Sequence, residues 1–156
     1  GEPVNQHIWV FWKNNCSVIL LGSSNHQVSL QIIEGNLECI FSFVYSKREA
    51  KDREALWQDL DTFDPANFSW FVGGDFDIVL DSLKRKGGGL VPGRDRKDFV
   101  DCITHNDLMD LGFMGNKYTW FNNHRGRNRI WSRLDRCFSN IQASSVFLNT
   151  KVEHKS

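Results

Sequence analysis

Four short runs rich in Val, Ile, Phe and Trp crowd the first 45 positions: Ile8–Trp12, Ser17–Leu21, Val28–Ile33 and Glu38–Tyr45. Gly, Asn or Ser clusters bound each run, the usual punctuation of strands. Glu34-Gly35-Asn36 reads as a tight hairpin turn. Consecutive strands with turns this short suggest an antiparallel meander.

Beyond Tyr45 the pattern alternates between helix and strand. From Arg48 to Phe63, Ala50, Arg53, Leu56, Trp57 and Leu60 recur at three- and four-residue spacing, which predicts a helix with one inward stripe ended by Pro65. Trp70-Phe71-Val72 predicts a short buried strand feeding a loop at Gly73-Gly74-Asp75. Positions 81–97 read as one long loop, carrying Lys84-Arg85-Lys86, Gly87-Gly88-Gly89 and Pro92-Gly93. A second helix is predicted from Asp95 to Asn106. Strands are predicted over Tyr118–Phe121 and Ile130–Leu134, a short helix over Phe138–Leu148, and the start of a strand over Lys151–Ser156. The sum is a mixed α/β fold.

At 156 residues the chain reads as one domain, able to bury roughly 70% of its unfolded surface. A 40% apolar fraction argues for a packed core rather than disorder. Nineteen basic and nineteen acidic side chains cancel, so net charge favours no partner and only local clustering can. The cysteines, at 16, 39, 102 and 137, lack zinc-ligand spacing and read as free thiols. No signal peptide and no 18-residue apolar run is present, so an intracellular domain, nuclear or cytoplasmic, with no membrane span is expected. The signatures of a P-loop, an HExxH zinc site and a Gly-x-Ser-x-Gly elbow are also missing.

Three constellations could carry chemistry. In Gly73-Gly74-Asp75-Phe76-Asp77 two carboxylates follow a buried strand, where α/β folds place reactive groups and where oxygen ligands could hold a hard cation. The same pattern is also common in solvated turns. Gly112 and Gly115 bracket a turn ahead of Tyr118-Thr119-Trp120, which serves equally as a hairpin with core aromatics. Arg125, Arg127, Arg129, Arg133 and Arg136, interleaved with Trp120, Phe121 and Trp131, suit a nucleic-acid backbone, since guanidinium grips phosphate and rings stack on bases. They suit a solvated hairpin as well. Asp135 sits inside that basic stretch, and its neighbours are expected to keep it ionised.

Taken in order, Val44-Tyr45-Ser46, Arg53-Glu54-Ala55-Leu56-Trp57, Gly74-Asp75-Phe76-Asp77, Asp110-Leu111-Gly112-Phe113 with Tyr118-Thr119-Trp120, and Arg133-Leu134-Asp135-Arg136 resemble a known family. It is the endonuclease/exonuclease/phosphatase (deoxyribonuclease-I-like) domain of plant LINE-type non-LTR retroelements. Ile8–Trp12 and Lys151-Val152-Glu153-His154 resemble it too, so the likeness runs over nearly the whole chain.

The resemblance implies a four-layer α-β-β-α sandwich and Mg²⁺-dependent nicking of DNA. It further implies a reverse transcriptase domain in the same full-length polypeptide. By position, Tyr45 would contact the scissile phosphate, Asp75 would align or deprotonate the attacking water and help hold the metal, and Asp135 would orient a catalytic His. Asp77 stands where the family has an Asn that holds the phosphate or leaving oxygen. Thr119 and Trp120 join Arg125, Arg127 and Arg129 as expected nucleic-acid contacts.

The resemblance also places an early Asn and a metal-binding Glu before residue 8, and a Ser-Asp-His after His154. The chain is therefore expected to be a partial domain, 1–156, that does not cleave DNA at a useful rate by itself. His154 is read as the strand residue before that motif, not as the catalytic His. The alternative is an inactive remnant that binds nucleic acid weakly or serves as an interaction domain.

Overall fold

The computed structural model describes residues 7–47, 49–78, 85–86 and 93–154. The meander forms as β1 (Ser17–Ser23), β2 (Gln27–Glu34) and β3 (Leu37–Tyr45), paired antiparallel in sequence order. Gly35, at φ +59°, closes the β2–β3 hairpin. The chain then crosses over through α1 (Ala50–Thr62) and returns as β4 (Trp70–Asp75), parallel to β3. Helix α2 (Gly93–His105) and β6 (Met109–Asp110) come next, and β10 (Asp135–Ser139) runs antiparallel beside β4. The main sheet thus has six strands in the order β1-β2-β3-β4-β10-β6. A three-stranded sheet joins β5 (Arg85–Lys86), β9 (Trp131–Ser132) and β8 (Trp120–Phe121), and β7 (Met114–Gly115) pairs with β11 (Glu153–His154).

The register assigns the faces. Ile40 lies opposite Trp70, Ser42 opposite Val72, and Phe138 opposite Val72, so these alternate residues share one side of the sheet. There α1 adds Leu56, Trp57 and Leu60, and α2 adds Phe99 and Cys102, to make one core. Phe76 and Phe99 stand edge-on to Phe138, with ring centroids 5.4 and 5.8 Å away. The other face carries Phe41, Phe43 and Phe71 in a stacked row, with Phe147, just past α3 (Ile141–Val146), edge-on to Phe71. Tyr45, Asp75 and Asp135 end that second row.

The expected α/β class holds, and so do the meander, both long helices and the buried strand. Four local readings need correction. Ile8–Trp12 is not a strand: it has no ladder partner among the described residues, and Trp9 and Phe11 are 74% and 86% exposed. A strand-forming composition needs a neighbour to pair with. The helix predicted over Phe138–Leu148 begins only at Ile141, because Phe138 and Ser139 are laddered to Val72 and Phe71 and Asn140 accepts the Ala143 N–H as an N-cap.

The strands over Tyr118–Phe121 and Ile130–Leu134 shrink to β8 and β9. Their ladder stops where the Leu134 N–H goes to the Thr119 hydroxyl. The loop over 81–97 is part structure: Arg85–Lys86 pairs with β9 and α2 already starts at Gly93, while positions 81–84 and 87–92 lie outside the described residues.

Candidate functional site

Three neighbouring strands bring the separated acids together. Tyr45 ends β3, Asp75 ends β4 and Asp135 begins β10, and the ladders pair Asp75 with both of the others. Glycine makes this possible. Gly74 sits at φ +140°, and a Cβ there would lie 2.1 Å from the Val44 carbonyl oxygen, so no side chain fits between β3 and β4.

Past Asp75 the chain turns tightly. The Asp77 N–H donates to Asp75 Oδ1 at 2.8 Å, and Asp77 adopts the left-handed region at φ +46°. The Ser46 N–H donates to the Asp75 carbonyl at 2.7 Å and the Phe76 N–H to that of Leu134 at 3.1 Å, which pins the turn to both flanking segments. An open cleft of about 370 Å³ results. Tyr45, Ser46 and Lys47 line it from the end of β3, Asp75 and Asp77 from the turn, and Trp120 and Leu134 from the smaller sheet and its exit.

The electrostatics reflect this crowding. Burial pushes the Asp75 carboxyl up to about 6; the Asp77 N–H opposes this, and the Asp135 and Asp77 charges add to it. Asp77 is balanced from below: its Oδ2 lies 3.8 Å from Nη1 of Arg53, a buried residue of α1, and the same Nη1 donates to the Lys47 carbonyl at 3.5 Å.

Of the residues singled out from sequence, Tyr45, Asp75, Asp77 and Trp120 share the cleft, with Asp135 beside Asp75. Thr119 is not in its lining. Its hydroxyl oxygen accepts the N–H groups of Leu134 and Asp135 at 3.0 and 3.2 Å, so it holds the backbone that presents Asp135.

The basic stretch divides. Arg125, Arg127 and Arg129 are exposed around a 3₁₀ turn at Gly126–Asn128, with Arg129 6.0 Å from the Trp131 ring. Arg133 and Arg136 are buried and both pair with Asp110, at 3.3 and 3.1 Å, and Arg133 also stacks on Phe113 at 4.4 Å. Along β10, Asp135 and Arg136 point to opposite faces, and both guanidiniums are committed to Asp110. His154, on β11, stacks on Phe113 with Nδ1 2.8 Å from the Asn116 carbonyl oxygen.

Lys47, Ser46, Leu134 and the tether from Arg53 were not anticipated as parts of a site. The only signal in the sequence was Lys47 standing two residues beyond Tyr45 at a strand end.

No protein-family model and no curated protein matches the sequence. Among solved structures, the chain is similar to the endonuclease domain of TRAS1, a telomere-specific non-LTR retrotransposon. Identity is 16%, 83% of this chain and 58% of that one are covered, and the TM-score is 0.56. It is also similar to a β-hairpin deletion mutant of the β toxin of Staphylococcus aureus, at 14% identity, 83% and 47% coverage and a TM-score of 0.51. The chain thus spans about half the length of either relative. At this level of identity the likeness speaks for architecture alone, and the architecture is a DNase I-like α/β sandwich.

Proposed function

We propose that this domain hydrolyses phosphodiester bonds of DNA with a divalent cation, as the endonuclease part of a LINE-type retroelement protein. One observation carries the reading: Tyr45, Asp75 and Asp77 line one cleft, with Asp135 laddered to Asp75. Motifs scattered over ninety positions converge there, as a site requires.

The donor chemistry fits Mg²⁺. Among the described residues no set of three His, Cys, Asp or Glu side chains is arranged as a ligand cage. Mg²⁺ does not need one, because it keeps several waters and takes one or two carboxylates plus substrate phosphate. Asp75 is the ligand candidate, and the repulsion it feels from Asp77 and Asp135 is what a cation would relieve. The cation would supply positive charge for the phosphate in the transition state.

The chain's own groups do the rest. The Tyr45 hydroxyl donates to a phosphate oxygen. Ionised Asp75 orients the attacking water and draws on its proton. Asp135, fixed by Thr119, stands ready to orient a neighbouring base.

The test is nicking of supercoiled plasmid by the full natural polypeptide that carries these residues, with Mg²⁺ and with chelator. Nicking that needs the metal supports the proposal, and its absence in both arms sinks it. A reverse-transcriptase segment in the same coding sequence would support the retroelement assignment.

A second reading, nucleic-acid binding without cleavage, draws on the exposed Arg125, Arg127 and Arg129. Changing all three to Ala is expected to weaken duplex binding on the order of tenfold or more at low salt. The slope of log affinity against log salt should flatten by about 2.7, near 0.9 per lost phosphate contact. Fluorescence anisotropy over a salt series measures both. Binding equal to the parent's at low salt would leave the arginines as a solvated hairpin.

A further inference from the structure

We propose that Lys47 is the phosphate-gripping cation of the cleft. The inference rests on reading the cleft as a phosphodiester site and names the group that offsets its charge.

Asp75 and Asp77 both line the cleft, and Asp135 stands on the strand beside it. A phosphodiester entering there meets carboxylates of its own sign, which repel it. A cation on the protein adds to what the divalent cation offsets and grips the phosphate directly. Arg53 is spent: it lies buried beneath the cleft, and Asp77 is its partner. Arg133 and Arg136 are buried against Asp110 and are not in the cleft lining. Arg125, Arg127 and Arg129 belong to the hairpin and are not in the cleft lining. Among the described lining residues, Lys47 alone carries positive charge.

The structure also holds Lys47 in place. The preceding Ser46 N–H is tied to the Asp75 carbonyl at 2.7 Å, and the Lys47 carbonyl accepts from Arg53 Nη1 at 3.5 Å. Its backbone is thus fixed on both sides of the Asp75–Asp77 turn, while a four-carbon stem leaves the ammonium free to follow a phosphate. The Arg53 guanidinium serves Asp77 and Lys47 together, so it is the positioning residue for this cation.

The experiment compares the parent, Lys47→Met and Lys47→Arg for binding to a short mixed-sequence duplex in Mg²⁺, over a salt series. Lys47→Met should bind about tenfold more weakly at low salt, equally for every sequence, with a salt slope flatter by about 0.9. Lys47→Arg should restore both. Mg²⁺ affinity, measured by calorimetry without DNA, should not fall in either variant.

Parental affinity and slope in Lys47→Met would overturn the proposal. So would a loss that Lys47→Arg does not restore, since it would mark a structural role. If the parent itself binds no duplex, or Asp75→Ala leaves Mg²⁺ affinity unchanged, the reading of the cleft fails and this proposal falls with it.

Discussion

Asp75→Ala is expected to lower metal-dependent nicking by the full polypeptide about a thousandfold or more, while duplex affinity changes only slightly. A group that positions water and metal acts mainly on the transition state, and losing one member of such a set forfeits most of what the others provide. Plasmid nicking under single-turnover conditions gives the rate, and anisotropy gives the affinity. A variant that nicks at the parental rate would remove Asp75 from the chemistry.

The same residue sets a pH dependence of defined sign. Its folded-state value, about 6, is above the ordinary carboxylate value near ~4. Between the two the folded chain holds a proton that the unfolded chain has released. The stability that Asp75 contributes is therefore greatest below that window and declines as pH rises through about 6. A divalent cation binds the ionised form, so Mg²⁺ should raise the unfolding temperature more at about pH 7 than at about pH 5. Nicking should likewise rise with pH through the Asp75 titration. Thermal unfolding with and without Mg²⁺ at the two pH values is the check; equal Mg²⁺ effects would contradict it.

Gly74→Ala should be among the most damaging single-methyl changes in the protein. The new Cβ would lie 2.1 Å from the Val44 carbonyl oxygen, a backbone atom that cannot swing aside, at a φ of +140° that L-residues rarely adopt. Backbone strain of about 1–3 kcal/mol and overpacking of about 1–3 kcal/mol put the expected loss near 4 kcal/mol. That is most of the margin of a small domain.

Gly73→Ala is the matched control. Its Cβ would meet the Phe41 ring at 3.1 Å and Cys137 Sγ at 3.3 Å, side-chain atoms that can shift, so the loss should be about 1 kcal/mol. Urea unfolding of both variants measures the contrast. Equal midpoints would mean that β3 and β4 are not as close as described.

Local pattern carried much of the fold. The apolar runs of β2 and β3, bounded by turn residues, and the three-and-four stripe of α1 were readable because each signal is local. Phe138 and Ser139 were not: a Phe-Ser pair beside Asn140 and a helix-forming run looks helical until its ladder partners, Val72 and Phe71, are known.

The site divides the same way. Asp75 stood out as an acid past a buried strand. That Asp135, sixty positions later, sits beside it came only from the family likeness, because spacing along the chain does not encode sheet order. The split of the arginines, three exposed and two buried on Asp110, was invisible for the same reason: Asp110 is more than twenty positions upstream of both.

The β4–β10 ladder has a consequence for how the cleft comes into being. The three meander strands and the α1 crossover are contacts between chain neighbours, inexpensive in loop entropy and able to form early. Asp135 reaches Asp75 only when a loop of about sixty residues closes and β10 settles against β4. Until then the Leu134 carbonyl cannot accept from Phe76, and the cleft lacks one side. A nascent chain leaving the ribosome would therefore hold a finished β1–β4 platform, and the cleft would be complete only after residue 139 had emerged.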